Sequence, residues 1–173
     1  STAHAAPTFT TIDVPNAGET DCNAINTGGT IVGFFLDSTL TIGTGFTLTN
    51  GTFKSVKAPN ASDTRVYGIN DGGDIVGWFI DRTTGITHGF RRTAAGTFTK
   101  IDPPGSTFTN AWTINNAGTI VGTYTTSDGV FHGFTLVGTT YTTFDAPNGA
   151  TLTEFTGVDN AGANMVGIYF DSA

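Results

Sequence analysis

The chain has 173 residues and a formal net charge of −7, carried by only 14 acidic and 7 basic side chains. That length supports one domain with a core of its own. The one basic pair, Arg91-Arg92, is too small to track a phosphate backbone, which excludes nucleic acid. No apolar run is long enough to span a membrane, and the single cysteine, Cys22, has no partner for an internal disulfide.

Threonine is abundant, glycine contributes 24 residues, Glu occurs only at 19 and 154, and Lys only at 54, 57 and 100. Helix formers are scarce and β-branched and aromatic residues plentiful, so the expected fold class is all-β. In chain order, Ala3-His4-Ala5 fits the small-x-small pattern before a signal cleavage, which reads as an exported product. Phe9 to Asp13 reads as a strand ending at Pro15. Cys22 is expected to pack as a small, partly buried residue; the alternative is an intermolecular bridge.

A phrase then returns four times, opening at Ile25, Ile69, Ile114 and Val158 with spacings of 44, 45 and 44. It reads Ala24-Ile25-Asn26-Thr27-Gly28-Gly29-Thr30-Ile31-Val32-Gly33 in the first copy and Gly68 to Gly77, Thr113 to Gly122 and Gly157 to Gly167 in the others. A fixed period of that size is one structural unit copied in tandem. In the second copy the predicted strands are Arg65 to Asn70, Asp74 to about Ile80, a third carrying Thr87 to Phe90, and Thr97 to Ile101. Tight turns separate them at Asp71-Gly72-Gly73, Asp81 to Gly85 and Ala94-Ala95-Gly96. Pro15, Pro59, Pro104 and Pro147 close the fourth strands.

The adjacent pairs Ile31-Val32, Ile75-Val76 and Ile120-Val121 point to opposite faces of their strands, so each sheet needs a neighbour on both sides. Four-stranded meanders stacked face to face are β-propeller blades. The expected architecture is a β-propeller of four repeats of about 44 residues, forming one repeat domain over 1–173. Repeats fall at about 16–59, 60–104 and 105–147, with a partial repeat at 148–173. The last blade is completed by the N-terminal segment 1–15, with Ala3-His4-Ala5 as its third strand. Otherwise the chain is a piece of a longer array, or the open blade takes a strand from another molecule.

The phrase Gly-Ile-Asn-x-x-Gly-x-Ile-Val-Gly followed by His-Gly-Phe resembles the HAF-type repeats of extracellular bacterial proteins. The residues that carry the likeness are Gly68 to Gly77 with His88-Gly89-Phe90, and Thr113 to Gly122 with His132-Gly133-Phe134. It departs at Thr44-Gly45-Phe46, which lacks the His, and at Asp159, which stands for Asn. The resemblance implies an exported repeat protein and brings no catalytic residues.

Candidate site residues follow from these placements. Trp78, Trp112 and Tyr67, with Asp81, have the aromatic-plus-carboxylate chemistry of a sugar site, where ring faces pack on C–H surface and polar groups fix hydroxyls. Asn26, Asn70, Asn115 and Asp159 each end an innermost strand. They form an axial polar ring for water, a cation or a sugar hydroxyl, or else they start their turns. His88 and His132 are too far apart to share an ion and read as structural, bonded to nearby backbone; no metal and no cofactor is expected. With no nucleophile elbow, phosphate loop or zinc signature, the expected function is a secreted or cell-surface binding module without catalysis, its partner a glycan. The alternative is a structural subunit that self-associates through its N-terminal strand into oligomers or filaments.

Overall fold

The computed structural model describes residues 8–171. Among them are 14 strands and no helix. The first sheet is the meander β1 (Glu19–Ile25), β2 (Ile31–Leu36), β3 (Gly43–Thr49) and β4 (Thr52–Val56). The second is β5 (Ala61–Ile69), β6 (Ile75–Asp81), β7 (Thr87–Arg92) and β8 (Phe98–Ile101). A third meander follows as β9 (Phe108–Ile114), β10 (Ile120–Thr125), β11 (Phe131–Val137) and β12 (Thr140–Phe144). The hairpin β13 (Leu152–Val158) and β14 (Met165–Phe170) comes last, tied to β11 by one parallel pair, Phe131 with Leu152.

The N-terminal segment does not complete that hairpin. Residues 8–14 carry no strand and Phe9 is 94% exposed. A strand needs a neighbour for its N–H and C=O groups, and among the described residues no third strand follows β14 for Phe9 to Asp13 to join. The third strand read at Ala3-His4-Ala5 lies outside the described residues.

The repeated phrase is a hairpin whose atoms can be accounted for. The Gly29, Gly73, Gly118 and Gly162 amides donate to the carbonyls of Asn26, Asn70, Asn115 and Asp159 at 3.0–3.1 Å. These four glycines have φ of 75°, 83°, 84° and 71°, the left-handed region that a Cβ disfavours. Each first strand also carries a one-residue bulge, at Asn23, Tyr67, Trp112 and Thr156. Opposite each bulge stands the glycine of Ile-Val-Gly. A Cβ on Gly33, Gly77, Gly122 or Gly167 would overlap the carbonyl of Asp21, Arg65, Asn110 or Glu154. The phrase therefore ends in glycine because a bulged neighbour leaves no room for a side chain.

Sheets stack face to face, with β5 across β1–β3, β9 across β5–β7 and β13 across β9–β11. Phe46, Phe90 and Phe134, one per third strand, are the largest fully buried side chains. Each lies opposite a bulge-facing glycine and touches an aromatic of its fourth strand: Phe53, Phe98 or Tyr141. β10, covered on both faces, is buried at every residue, whereas β14 has no buried residue at all. The patterning is alike in both; the neighbours differ.

Successive units are joined by side-chain amides. Asn26 Nδ2 donates to Asn70 O at 3.2 Å, Asn70 Nδ2 to Asn115 O at 3.3 Å, and Asn115 Nδ2 to Asp159 O at 2.8 Å. The Oδ1 atoms meanwhile accept from Thr30, Asp74 and Thr119 N in their own turns. A second row runs beside it: Thr27 N to Asp71 Oδ1, Asp71 N to Asn116 Oδ1 and Asn116 N to Asn160 Oδ1. Replacing Asn70 by Asp keeps the turn acceptor and removes the inter-unit donor. Asn70→Asp is expected to cost about 1–2 kcal/mol in urea unfolding, read as a shift in midpoint with unchanged slope.

The junctions share a further bond. Val14 N donates to Thr20 Oγ1, Ala58 N to Thr64 Oγ1 and Ala146 N to Thr153 Oγ1, at 2.9–3.1 Å. At the third junction Pro103 holds the donor position and has no N–H, so Thr109 Oγ1 is buried without a partner. Thr109→Val is therefore expected to raise stability by about 1 kcal/mol, while Thr64→Val lowers it by a similar amount; equilibrium unfolding of the two variants side by side checks the pair.

Candidate functional site

The bulges leave one residue of each first strand unpaired. In the second and third units that residue is aromatic. Tyr67 and Trp112 meet edge to face with ring centroids 4.5 Å apart, and Tyr67 lies 6.0 Å from Phe34 on β2. The Arg65 guanidinium sits 4.6 Å over the Phe34 ring and 4.9 Å over Trp78, within the range of cation–π attraction. Asp63 holds Arg65 through Nε at 3.3 Å and is itself buried, accepting from Gly43 N at 2.9 Å. Of the four predicted sugar-site residues, Trp78 and Tyr67 thus lie beside Arg65, and Trp112 joins them through its contact with Tyr67.

Asp81 does not join them. It lies three residues beyond Trp78 on β6, on the opposite face by strand alternation. Its Oδ1 accepts from Thr83 N and Thr84 N, and its Oδ2 from Asn60 Nδ2. Those turn amides hold its carboxyl below the usual range. Asp37 has the same role, capped by Thr39 and Thr41 N. The residues missed in sequence are Phe34 and Arg65, and Glu154 was read there only as a carboxylate able to pair with an Asp as acid and base. Arg65, Asn110 and Glu154 stand at one repeat position, and that shared position was the available signal.

The third unit supplies polar groups without partners. Among the described residues, Asn110 Oδ1 and Trp112 Nε1 are buried and make no hydrogen bond. Burial pushes the Glu154 carboxyl up, with its approach to the Trp112 indole pulling the other way. Burial likewise raises the Tyr67 phenol, partly offset by Trp78 and Arg65. An ionised, half-buried carboxylate without a strong partner opposes folding. Its folded value is raised, so stability falls as pH rises through the interval above the ordinary glutamate range. Glu154→Gln is expected to be more stable than the parent at neutral pH, and equal to it below that range, in thermal melts across pH.

Asn26, Asn70 and Asn115 spend their amides on turn and inter-unit bonds, in a row that runs from Asn26 to Asp159. Asp159 holds its own turn through Ala163 N and Asn164 Nδ2, bonds that lower its carboxyl. His88 Nδ1 lies 2.9 Å from Asp102, and His132 Nδ1 2.5 Å from Asp145. The partners are carboxylates ending the neighbouring fourth strands, not backbone as expected. Where the first unit has Thr44 for the His, it has Lys57 for the Asp, so the pair is replaced together. Among the described residues no three His, Cys, Asp or Glu side chains converge as a metal site requires, and no helix is long and apolar enough to cross a membrane.

A groove of about 350 Å³ lies between the second and third sheets, lined by Arg91, Lys100, Ile120, Leu136 and Tyr141. Its charges are already matched, Arg91 by Asp74 and Lys100 by Asp102. It offers a ligand fewer unmet polar groups than the aromatic cluster.

No protein-family model matches the sequence, and no curated protein matches it. Among solved structures the chain is similar to selenomethionine-substituted virginiamycin B lyase from Staphylococcus aureus, at 22% identity and a TM-score of 0.47. The likeness covers 79% of this chain and 44% of that one. The chain thus spans less than half the length of the protein it matches. That protein is an enzyme, so the expectation that this chain has no catalytic activity is corrected and withdrawn.

Proposed function

We propose that the chain is the repeat portion of a secreted or cell-surface β-propeller protein of the HAF-like kind, and that it binds carbohydrate at the Tyr67–Trp112 cluster. The propeller reading is supported by three four-stranded antiparallel meanders stacked face to face, followed by the start of a fourth. One observation carries the sugar reading: a half-buried tryptophan packed on a tyrosine, with its own Nε1 and the Asn110 Oδ1 on the same strand left unpartnered. A sugar ring offers apolar C–H faces to aromatic surface and hydroxyls that both donate and accept. Arg65 and Glu154 flank the cluster as further hydroxyl partners.

Glycan-array screening followed by calorimetry tests this. Trp112→Ala and Tyr67→Ala are expected to weaken the binding of the selected glycan at least tenfold, a loss on the order of 1.4 kcal/mol. Asp81→Asn, at the far turn, is expected to leave it unchanged. Failure to bind any glycan, or binding indifferent to both aromatic changes, rejects the reading.

A further inference from the structure

The junction between the first and second units departs from the other two at four places. Where the second unit has Thr87, His88 and Asp102, and the third has Phe131, His132 and Asp145, the first has Gly43, Thr44 and Lys57. Where the next unit's first strand brings Phe108 or Leu152 to the other junctions, β5 brings Asp63 to this one. In the other two junctions the His ring pairs with its aspartate and lies against Phe79 or Tyr124. In the first there is no ring, the aspartate has become a cation, and a carboxylate replaces a hydrocarbon.

A cavity of about 240 Å³ opens at this place, lined by Gly43, Thr44, Lys57, Asp63, Thr64 and Arg82 among others. Its floor is polar and buried: Thr44, Asp63 and Thr64 are 7%, 6% and 2% exposed. Asp63 is held from behind, Oδ2 accepting from Gly43 N at 2.9 Å and Oδ1 from Arg65 Nε at 3.3 Å. A Cβ on Gly43 would come within 2.5 Å of that Oδ1, so the glycine is what lets the carboxylate stand in the wall. Arg65 balances the Asp63 charge, which leaves the mouth basic. Lys57 and Arg82 are exposed there and form no ion pair among the described residues; Arg82 Nη2 donates to the Ala61 carbonyl at 3.0 Å. In a chain with 14 acidic and 7 basic side chains, two unpaired cations at one opening mark a place for an anion.

We propose that this cavity binds a small hydroxylated carboxylate, a free hydroxy acid or the uronic acid residue of a glycan. The other junctions supply their own carboxylate, Asp102 or Asp145; here Lys57 reverses the charge, and the carboxylate comes from the ligand. It pairs with Lys57 and Arg82 through charge-assisted bonds. The neighbouring hydroxyl enters the space left by the missing imidazole, donates to Asp63 and meets the Thr44 hydroxyl. The volume is below the range of about 300–1,000 Å³ of drug-sized sites and suits a single ring or less. The cavity shares no lining residue with the Tyr67–Trp112 cluster, and the inference does not rest on sugar binding there.

Calorimetry with D-glucuronate and with L-lactate, and competition by D-glucose as the uncharged control, test the inference. At least one acid is expected to bind, and glucose is expected not to displace it. Lys57→Gln and Arg82→Gln, both at exposed positions, are each expected to weaken the acid roughly tenfold or more. Thr44→His combined with Lys57→Asp rebuilds the pair of the other junctions inside the cavity. It is expected to abolish binding without lowering the melting temperature. Binding of glucuronate alone assigns the site to an acidic glycan, and binding of lactate as well assigns it to free hydroxy acids. Absence of binding by both acids at millimolar concentration overturns the inference, as does binding that survives the double change. Acid binding lost in Trp112→Ala but kept in Lys57→Gln also overturns it, since the acid then sits at the aromatic cluster.

Discussion

Each repeat rests on a single primary amide used in two directions. Asn26, Asn70 and Asn115 accept from their own turns through Oδ1 and donate to the next unit's equivalent carbonyl through Nδ2. No other side chain of that size offers an acceptor and a donor on one planar group. The turn is thereby held in register with the next unit's turn. That register sets where β5 crosses the first sheet and β9 the second, and hence which side chains face each other in the core. Thr27, Asp71 and Asn116 add a second row one residue along, so every junction is pinned twice at the same level.

The bulge follows from this crowding and gives the candidate site its position. A first strand held this close to the next unit's first strand does not keep a regular ladder, and the extra residue falls at Asn23, Tyr67, Trp112 and Thr156. In the first unit that residue is polar and bonds the next unit's first strand, Asn23 Nδ2 donating to Val66 O at 2.8 Å. Where it is aromatic no such bond forms, and rings from successive units touch instead. The Tyr67–Trp112 pair is therefore a variation on a structural position, in which aromatic surface takes the place of a hydrogen bond. Arg65 and Glu154 flank it because the residue two before the bulge also varies from unit to unit.

Much of the fold was legible in the sequence because periodicity and turn chemistry are local. The turns at Gly28-Gly29 and Gly72-Gly73, the paired faces of Ile75-Val76 and the proline-bearing passages all follow from properties of single residues. The bulge was not legible, since a one-residue shift in pairing leaves no mark until two strands are set side by side; the Val-Gly ending was its only trace. The carboxylate partners of His88 and His132 were readable in principle from the joint replacement at Thr44 and Lys57. Cys22 was misjudged because its position is buried in the second and third units, as Val66 and Ala111, where a preceding sheet lies against it. Pattern within a strand says which face is apolar, whereas burial depends on what lies against it. The strand read at Phe9 to Asp13 failed for the same reason: its residues suit a sheet, and among the described residues no adjacent strand receives it.

The substitution at 159 gains its meaning from the same accounting. An Asp keeps every bond that Asn makes within its own turn, and Asp159 does so through Ala163 and Asn164. It gives up only the bond made outward. Its carboxyl is held below the ordinary range by those turn donors, so at neutral pH it presents negative charge where a following unit would present a carbonyl oxygen. Two acceptors facing each other repel, and no rotation of the side chain supplies a proton. The open Val166 on β14 suits a strand stacked across it, and Asp159 at the tip of that hairpin offers such a strand no donor. A junction built on those terms lacks one of the two bonds that pin each junction between the units described.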